Sequence, residues 1–346
     1  MQTAVRKSTR LEYKPPKIKH LTTLKNITVE NPQNIQEILI ALEKRLKEGY
    51  WIITFKVFIV LHYLIREGNH KLVMEAIDRH RPQILDLSKI KNKKSAPETI
   101  QSMLEYKSFI GQRIAMGCQS QIDHTAQGIM RRLSLSNGLF EETRRLQQLL
   151  ESALYCKFRL NEGNPSIALF AYQLVILDIL NLFQAINEAI INILEHYFEM
   201  PVMNAKEALE IYKVFAKQTQ SVIEFLEAAR MYEGSLQMRL PPINHAPISL
   251  VDSLEEYLED LNAPKKVEVN QQPASIAEVN QQPLSITTEP LLFQQERQSF
   301  NPFTTLSLSQ PMNSYNGNPF SPTHITYDTN PFRAMRQGYQ NPFSPK

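Results

Sequence analysis

Apolar side chains recur at three- and four-residue steps through residues 1–264, and then the recurrence stops. This break constrains the fold strongly, because a stripe of helical period has to be buried against another helix. Ile35, Leu39, Leu42 and Leu46 make one such stripe, with Asn34 placed to cap the helix and Glu37 in the capping-box position. Ser95-Ala-Pro-Glu98 reads as a second capping box, leading a helix to about Ile114. Asn164-Pro165 opens a long helix that runs toward Phe198. Asn204-Ala-Lys-Glu207 opens another, striped by Leu209, Tyr212, Phe215, Thr219, Val222 and Leu226, with Gly234 near its end. Ser249–Leu261 reads as a last, acidic helix, while Gly49, Gly68, Gly138 and Gly163 fall between elements. The expected fold is all-α: an α-solenoid or helical bundle over residues 1–264, without a fixed-period repeat.

A hydrophobic content of 42% supports a large core. The two most apolar runs, Trp51–Ile65 and Ala168–Phe183, fall short of the roughly 20 residues that cross a bilayer. Polar residues interrupt both, so buried helices are expected. Cys118 and Cys156 form no CxxC pair and read as two free, buried thiols in a cytoplasmic protein. Residues 1–19 are basic and lack the apolar stretch of a secretory signal. No residue pattern supports an enzyme, a cofactor or a metal: there is no GxxxxGK[ST], HExxH or GxSxG. His62 and His196 lie in apolar sequence and read as satisfied core residues rather than ligands.

From residue 265 to 346 Pro, Gln, Asn, Ser and Thr dominate, and no apolar stripe persists. So little apolar surface cannot offset chain entropy, which predicts a disordered tail. Asn-Pro-Phe occurs there four times: Asn301, Pro302, Phe303; Asn318, Pro319, Phe320; Asn330, Pro331, Phe332; and Asn341, Pro342, Phe343. Average usage would give about 0.04 copies in a chain of this length. Proline presets the second position of a tight turn and asparagine can close it, leaving phenylalanine as an exposed anchor for a small apolar pocket. Copies 17, 12 and 11 residues apart suit avidity through effective concentration. The pattern resembles the ligands of EH domains, which occur in endocytic scaffold proteins.

The net charge of +3 means that attraction for an anionic partner must be local. Arg6, Lys7, Arg10, Lys14, Lys17 and Lys19 fall within the first twenty residues, with His20 adjacent and Glu12 opposing. Pro15-Pro16 bends the chain between them, so donors from two segments could converge on one phosphate cluster. Lys7-Ser-Thr, followed by Pro16-Lys17-Ile-Lys19-His20-Leu21, resembles the phosphatidylinositol 4,5-bisphosphate motif of the ANTH-domain clathrin assembly proteins. The resemblance continues through Trp51–Asn69 and Tyr197–Phe215 and covers residues 5–262.

That resemblance implies an ANTH/ENTH-like superhelix in which Lys7, Lys17, Lys19 and His20 bind headgroup phosphates on an open surface, while Arg10 and Lys14 add general attraction. It implies an endocytic adaptor, peripheral on the plasma membrane at clathrin-coated pits and vesicles, and the Asn-Pro-Phe tail suggests the fungal type, with EH-domain scaffolds as tail partners. Clathrin follows from resemblance alone, since Leu291-Leu292-Phe293-Gln294-Gln295 lacks the acidic end of a clathrin box. SNARE cargo is a second partner of the same fold class. A second basic group, Lys89, Lys91, Lys93 and Lys94, reads first as a solvated loop. Beyond Met1, residues 1–13 offer only Ala4, Val5, Leu11 and Tyr13 as apolar groups, which predicts a binder rather than a strong bender of membranes. A helical nucleic-acid-binding protein is the reading from another class, but it would need a basic stripe spread over many phosphates.

Overall fold

In the computed structural model, residues 1–91, 97–120, 122, 128–160, 165–247 and 249–262 are described. They form α1 (Gln2–Ser8), α2 (Ile18–Glu30), α3 (Ile35–Leu46), α4 (Trp51–Glu67), α5 (His70–Ile84), α6 (Pro97–Gln119), α7 (Ile129–Arg132), α8 (Leu139–Leu154), α9 (Ser166–His196), α10 (Val202–Arg230), α11 (Glu233–Leu236) and α12 (Ser249–Asn262). Short 3-10 turns supplement them, and no strand occurs among the described residues. Most helices pack on those one or two ahead in the chain, the contact pattern of a helical solenoid. The packing of α4 on α9 ties the two halves together.

Two helices contribute the most buried residues to the core. Every residue of α4 from Ile52 to Ile65 is buried, because its sequence is apolar nearly all round. In α9 the expected short apolar run sits within a 31-residue helix. By length and composition that helix could cross a membrane, yet 67% of its apolar window is buried inside the fold. The stripe of α10 is buried as its spacing requires, from Leu209 through Leu226.

A charged knot joins the core helices. Asp178 on α9 is fully buried and accepts hydrogen bonds from Arg66 on α4 and Arg113 on α6. His62 Nε2 lies 2.8 Å from Asp178 Oδ2, and His62 Nδ1 lies 2.7 Å from the Tyr106 hydroxyl. Burial alone would raise the Asp178 pKa, but Arg113, Arg66 and His62 outweigh it and hold the carboxylate well below its usual range. Burial keeps His62 below its usual value against the pull of Asp178. His62 is therefore the satisfied core residue its sequence context predicts.

Several local expectations change. His196 is exposed, not core: it stands in the last turn of α9, where Nδ1 bonds to the Asn192 carbonyl. Cys156 is buried but Cys118 is exposed, because the end of α6 runs out past the core. Asn34 makes no side-chain cap; Pro32–Asn34 forms a 3-10 turn that feeds α3 directly. The helix expected to open at Asn204 already begins at Val202, after Pro201. Ser95, Gly163 and Asn164, like Lys93, Lys94 and the whole Asn-Pro-Phe tail, lie outside the described residues.

Candidate functional site

The site grows from the junction of α1 and α2. Ala4 and Val5 are buried, which fixes the roll of α1 and turns Lys7 outward. Ser8 and Thr9 close the helix by donating their hydroxyls to the Val5 carbonyl, at 2.9 and 2.7 Å. The chain then crosses α4 as a loop, turns at Pro15-Pro16 and enters α2 with Lys17 as its N-cap.

Two cations from other helices hold that loop from beneath. Arg45 on α3 donates to the Thr9 hydroxyl at 2.9 Å and to the Thr9 carbonyl at 2.6 Å. Lys56, buried in α4, donates to the carbonyls of Arg10 at 2.7 Å and Glu12 at 2.8 Å. Burial lowers the Lys56 pKa to about 8, with Glu12 opposing the shift and Arg45 reinforcing it. Backbone groups that would otherwise face water are thereby locked into one conformation.

Lys17, Lys19 and His20 surround the start of α2, whose N-cap has no side-chain bond and whose first turn has no acid. The first amide groups of a helix are orphan donors at its positive end, so this terminus favours an anion. The His20 pKa is lowered first by burial and then by the positive charges of Lys19, Lys7, Arg10 and Lys17. All four sequence-selected residues therefore meet in one field. Arg10 joins them, acting on His20 more strongly than Lys17 does. Lys14 is exposed just before the Pro15-Pro16 bend and stands apart from the charges that act on His20.

Like charges held together by a fixed backbone gain from a multiply charged anion. The arrangement can bind phosphate groups on an open face, with Lys7 on one side and the α2 terminus on the other. Lys56 and Arg45 escaped the sequence reading. The available signal was a lysine inside an otherwise apolar helix, which must find acceptors when buried.

The ANTH domain family matches residues 1–260. The chain belongs to the ANTH-domain family. It is similar to an ENTH domain-containing protein of Schizosaccharomyces pombe, 36% identical over 75% of this chain and 40% of that protein. The clathrin coat assembly protein AP180B of Saccharomyces cerevisiae is 27% identical over 74% of this chain and 45% of its own length. The human phosphatidylinositol-binding clathrin assembly protein is 30% identical over 75% of this chain and 40% of its own. The chain thus spans less than half the length of these relatives.

Proposed function

We propose that this ANTH-domain protein is an endocytic adaptor. It binds phosphatidylinositol 4,5-bisphosphate on the cytosolic face of the plasma membrane through Lys7, Lys17, Lys19 and His20, with Arg10 in the same field. It recruits EH-domain scaffold proteins through its four Asn-Pro-Phe motifs, and takes part in clathrin coat assembly as the names of its relatives suggest. The observation that carries the lipid reading is the convergence of four cations on His20 at an uncapped helix start.

Magnitudes explain why two kinds of contact are needed. At about 1 kcal/mol per basic residue near an anionic leaflet, the four cations Lys7, Arg10, Lys17 and Lys19 supply roughly 4 kcal/mol, or about millimolar binding. Headgroup hydrogen bonds and multivalent tail contacts must add to this before the chain stays on a membrane. The protein then acts as a coincidence detector for lipid and scaffold. Flotation with vesicles carrying inositides of different phosphate number and position tests the lipid half. Binding should be strongest with the 4,5-bisphosphate and weaker with the monophosphates; equal binding to phosphatidylserine alone would contradict it.

A cargo-sorting role is a second reading, favoured by how α12 is seated. Leu250, Leu254 and Leu258 are buried against the fold. Tyr197 donates to the Leu254 carbonyl at 3.1 Å, Tyr257 donates to the Phe198 carbonyl at 2.9 Å, and Lys213 pairs with Glu255 at 2.9 Å. A surface that accepts one amphipathic helix can accept another, such as a SNARE helix. Pull-down of SNARE motifs should improve when residues 249–262 are deleted; no capture in either form would remove this reading.

A further inference from the structure

The loop between the two halves of the basic cluster presents apolar side chains to water. Leu11 is 51% exposed, Tyr13 57% and, at the head of α4, Tyr50 50%. The Tyr13 ring lies edge-on to Trp51 with centroids 6.0 Å apart, so the loop packs on the start of α4, where Tyr50 directly precedes Trp51. The backbone under the strip is turned inward: Lys56 draws in the carbonyls of Arg10 and Glu12, and Ser166 donates to the Tyr13 carbonyl at 3.1 Å.

The strip has cations on both sides. Arg10 and Lys14 adjoin Leu11 and Tyr13 in the chain, and Lys7 and Lys17 belong to the same field as Arg10. On the far side, the Lys91 amide donates to the Gly49 carbonyl at 3.0 Å. Gly49 adopts φ +77°, and a Cβ there would lie 2.8 Å from the Lys89 carbonyl, so the Lys89–Lys91 segment passes tightly beside Tyr50. Glu12, the one acid among residues 1–20, sits over Lys56.

We propose that Leu11, Tyr13 and Tyr50 are a shallow membrane-insertion strip that enters the interface between headgroups and acyl chains, with Lys89 and Lys91 completing the basic rim. The proposal rests on the lipid reading above and adds a second, apolar component to it. Three features favour a lipid surface over a protein groove. Basic side chains stand on both flanks, Arg10 and Lys14 on one and Lys91 on the other beside the Lys89–Asp86 pair at 3.7 Å, which suits an anionic leaflet. Tyrosine prefers the membrane–water interface, where its ring is buried and its hydroxyl stays wet. The loop is preset from beneath, so burying Leu11 requires little new ordering. Ala4 and Val5 face the protein core, so the insertion is confined to the loop and stays shallow.

Trp51 is the single tryptophan of the chain and touches the strip, which makes it a reporter. The full chain is mixed with vesicles of phosphatidylcholine and phosphatidylserine containing phosphatidylinositol 4,5-bisphosphate, and separately with soluble inositol 1,4,5-trisphosphate. On vesicles, Trp51 emission should shift to shorter wavelength and be quenched by lipids brominated near the top of the acyl chain. Leu11→Ser should weaken vesicle binding about tenfold, the scale of one partly buried leucine, and leave trisphosphate binding unchanged. Leu11→Trp should tighten vesicle binding. Leu11 is exposed, so neither change threatens the fold. Vesicle binding by Leu11→Ser equal to wild type overturns the proposal. So does unquenched Trp51 on vesicle-bound protein, which would turn the strip toward a protein partner. Equal loss of vesicle and trisphosphate binding would make Leu11 part of the phosphate grip and also overturn it. Wild-type protein that binds neither ligand would fell the lipid reading itself, and the strip with it.

Discussion

Replacing Lys56 by methionine asks whether the phosphate grip is preset by the core. The change keeps the stem's length and packing but deletes the donors to the Arg10 and Glu12 carbonyls, at 2.7 and 2.8 Å. A hydrogen bond from a charged group contributes about 1.5–3 kcal/mol, so two could reach about 6 kcal/mol. Two effects reduce this. The ammonium is desolvated, as its pKa of about 8 shows, and removing it relieves that penalty. Both carbonyls also belong to a surface loop and can turn to water. The net loss of folding stability should be about 2 kcal/mol. The larger effect falls on the site. Fixing one residue's backbone costs about 1–2 kcal/mol, so partial release of Arg10–Glu12 should weaken lipid binding about 10–100-fold. Urea denaturation followed by circular dichroism gives the first quantity, and vesicle titration gives the second. Some of the binding loss is simply one fewer charge. That part is screened by salt while the ordering part is not, so a residual deficit at high salt isolates the clamp. A Lys56→Met variant with wild-type vesicle affinity would refute the reasoning, whatever its stability.

Other outcomes follow from the same geometry. Asp178→Ala strands Arg66 and Arg113 in the core and should destabilise the fold by about 3–5 kcal/mol in chemical denaturation. His20 sits below its usual 6.5 in the free protein, and a bound phosphate raises it, so binding takes up a proton. Vesicle affinity should therefore rise as pH falls through 6.5, and His20→Gln should flatten that slope. In the tail, changing Phe303, Phe320, Phe332 and Phe343 together to alanine should abolish capture of an immobilised EH domain array. Any single change should leave much of it, because the remaining copies keep the effective concentration high.

The helical body was legible because burial of α4 and α10 follows directly from periodicity. The clustering of the N-terminal cations was legible for a related reason: they lie within twenty positions of each other, so a single bend can bring them together. The clamp was not, since Lys56 and Arg45 bond to backbone groups 46, 44 and 36 residues away, and carbonyls leave no trace in side-chain identity. Lys91 reaches Gly49 in the same hidden way. Periodicity identifies a helix but not the turn at which it leaves the core, which is why Cys118 and His196 were misplaced. It also cannot show which apolar residues of a short N-terminal segment face inward. Ala4 and Val5 do, while Leu11 and Tyr13 remain outside.

The central claim is that Lys7, Lys17, Lys19 and His20 together hold a polyphosphorylated inositol ring. Nuclear magnetic resonance of the full chain, titrated at pH 7 with inositol 1,4,5-trisphosphate, observes these side chains directly. The claim predicts that the His20 ring moves from the neutral toward the imidazolium signature while the three lysine ammonium signals shift with the same affinity. Unchanged His20 signals, with shifts centred instead on Lys89 and Lys91, would contradict it.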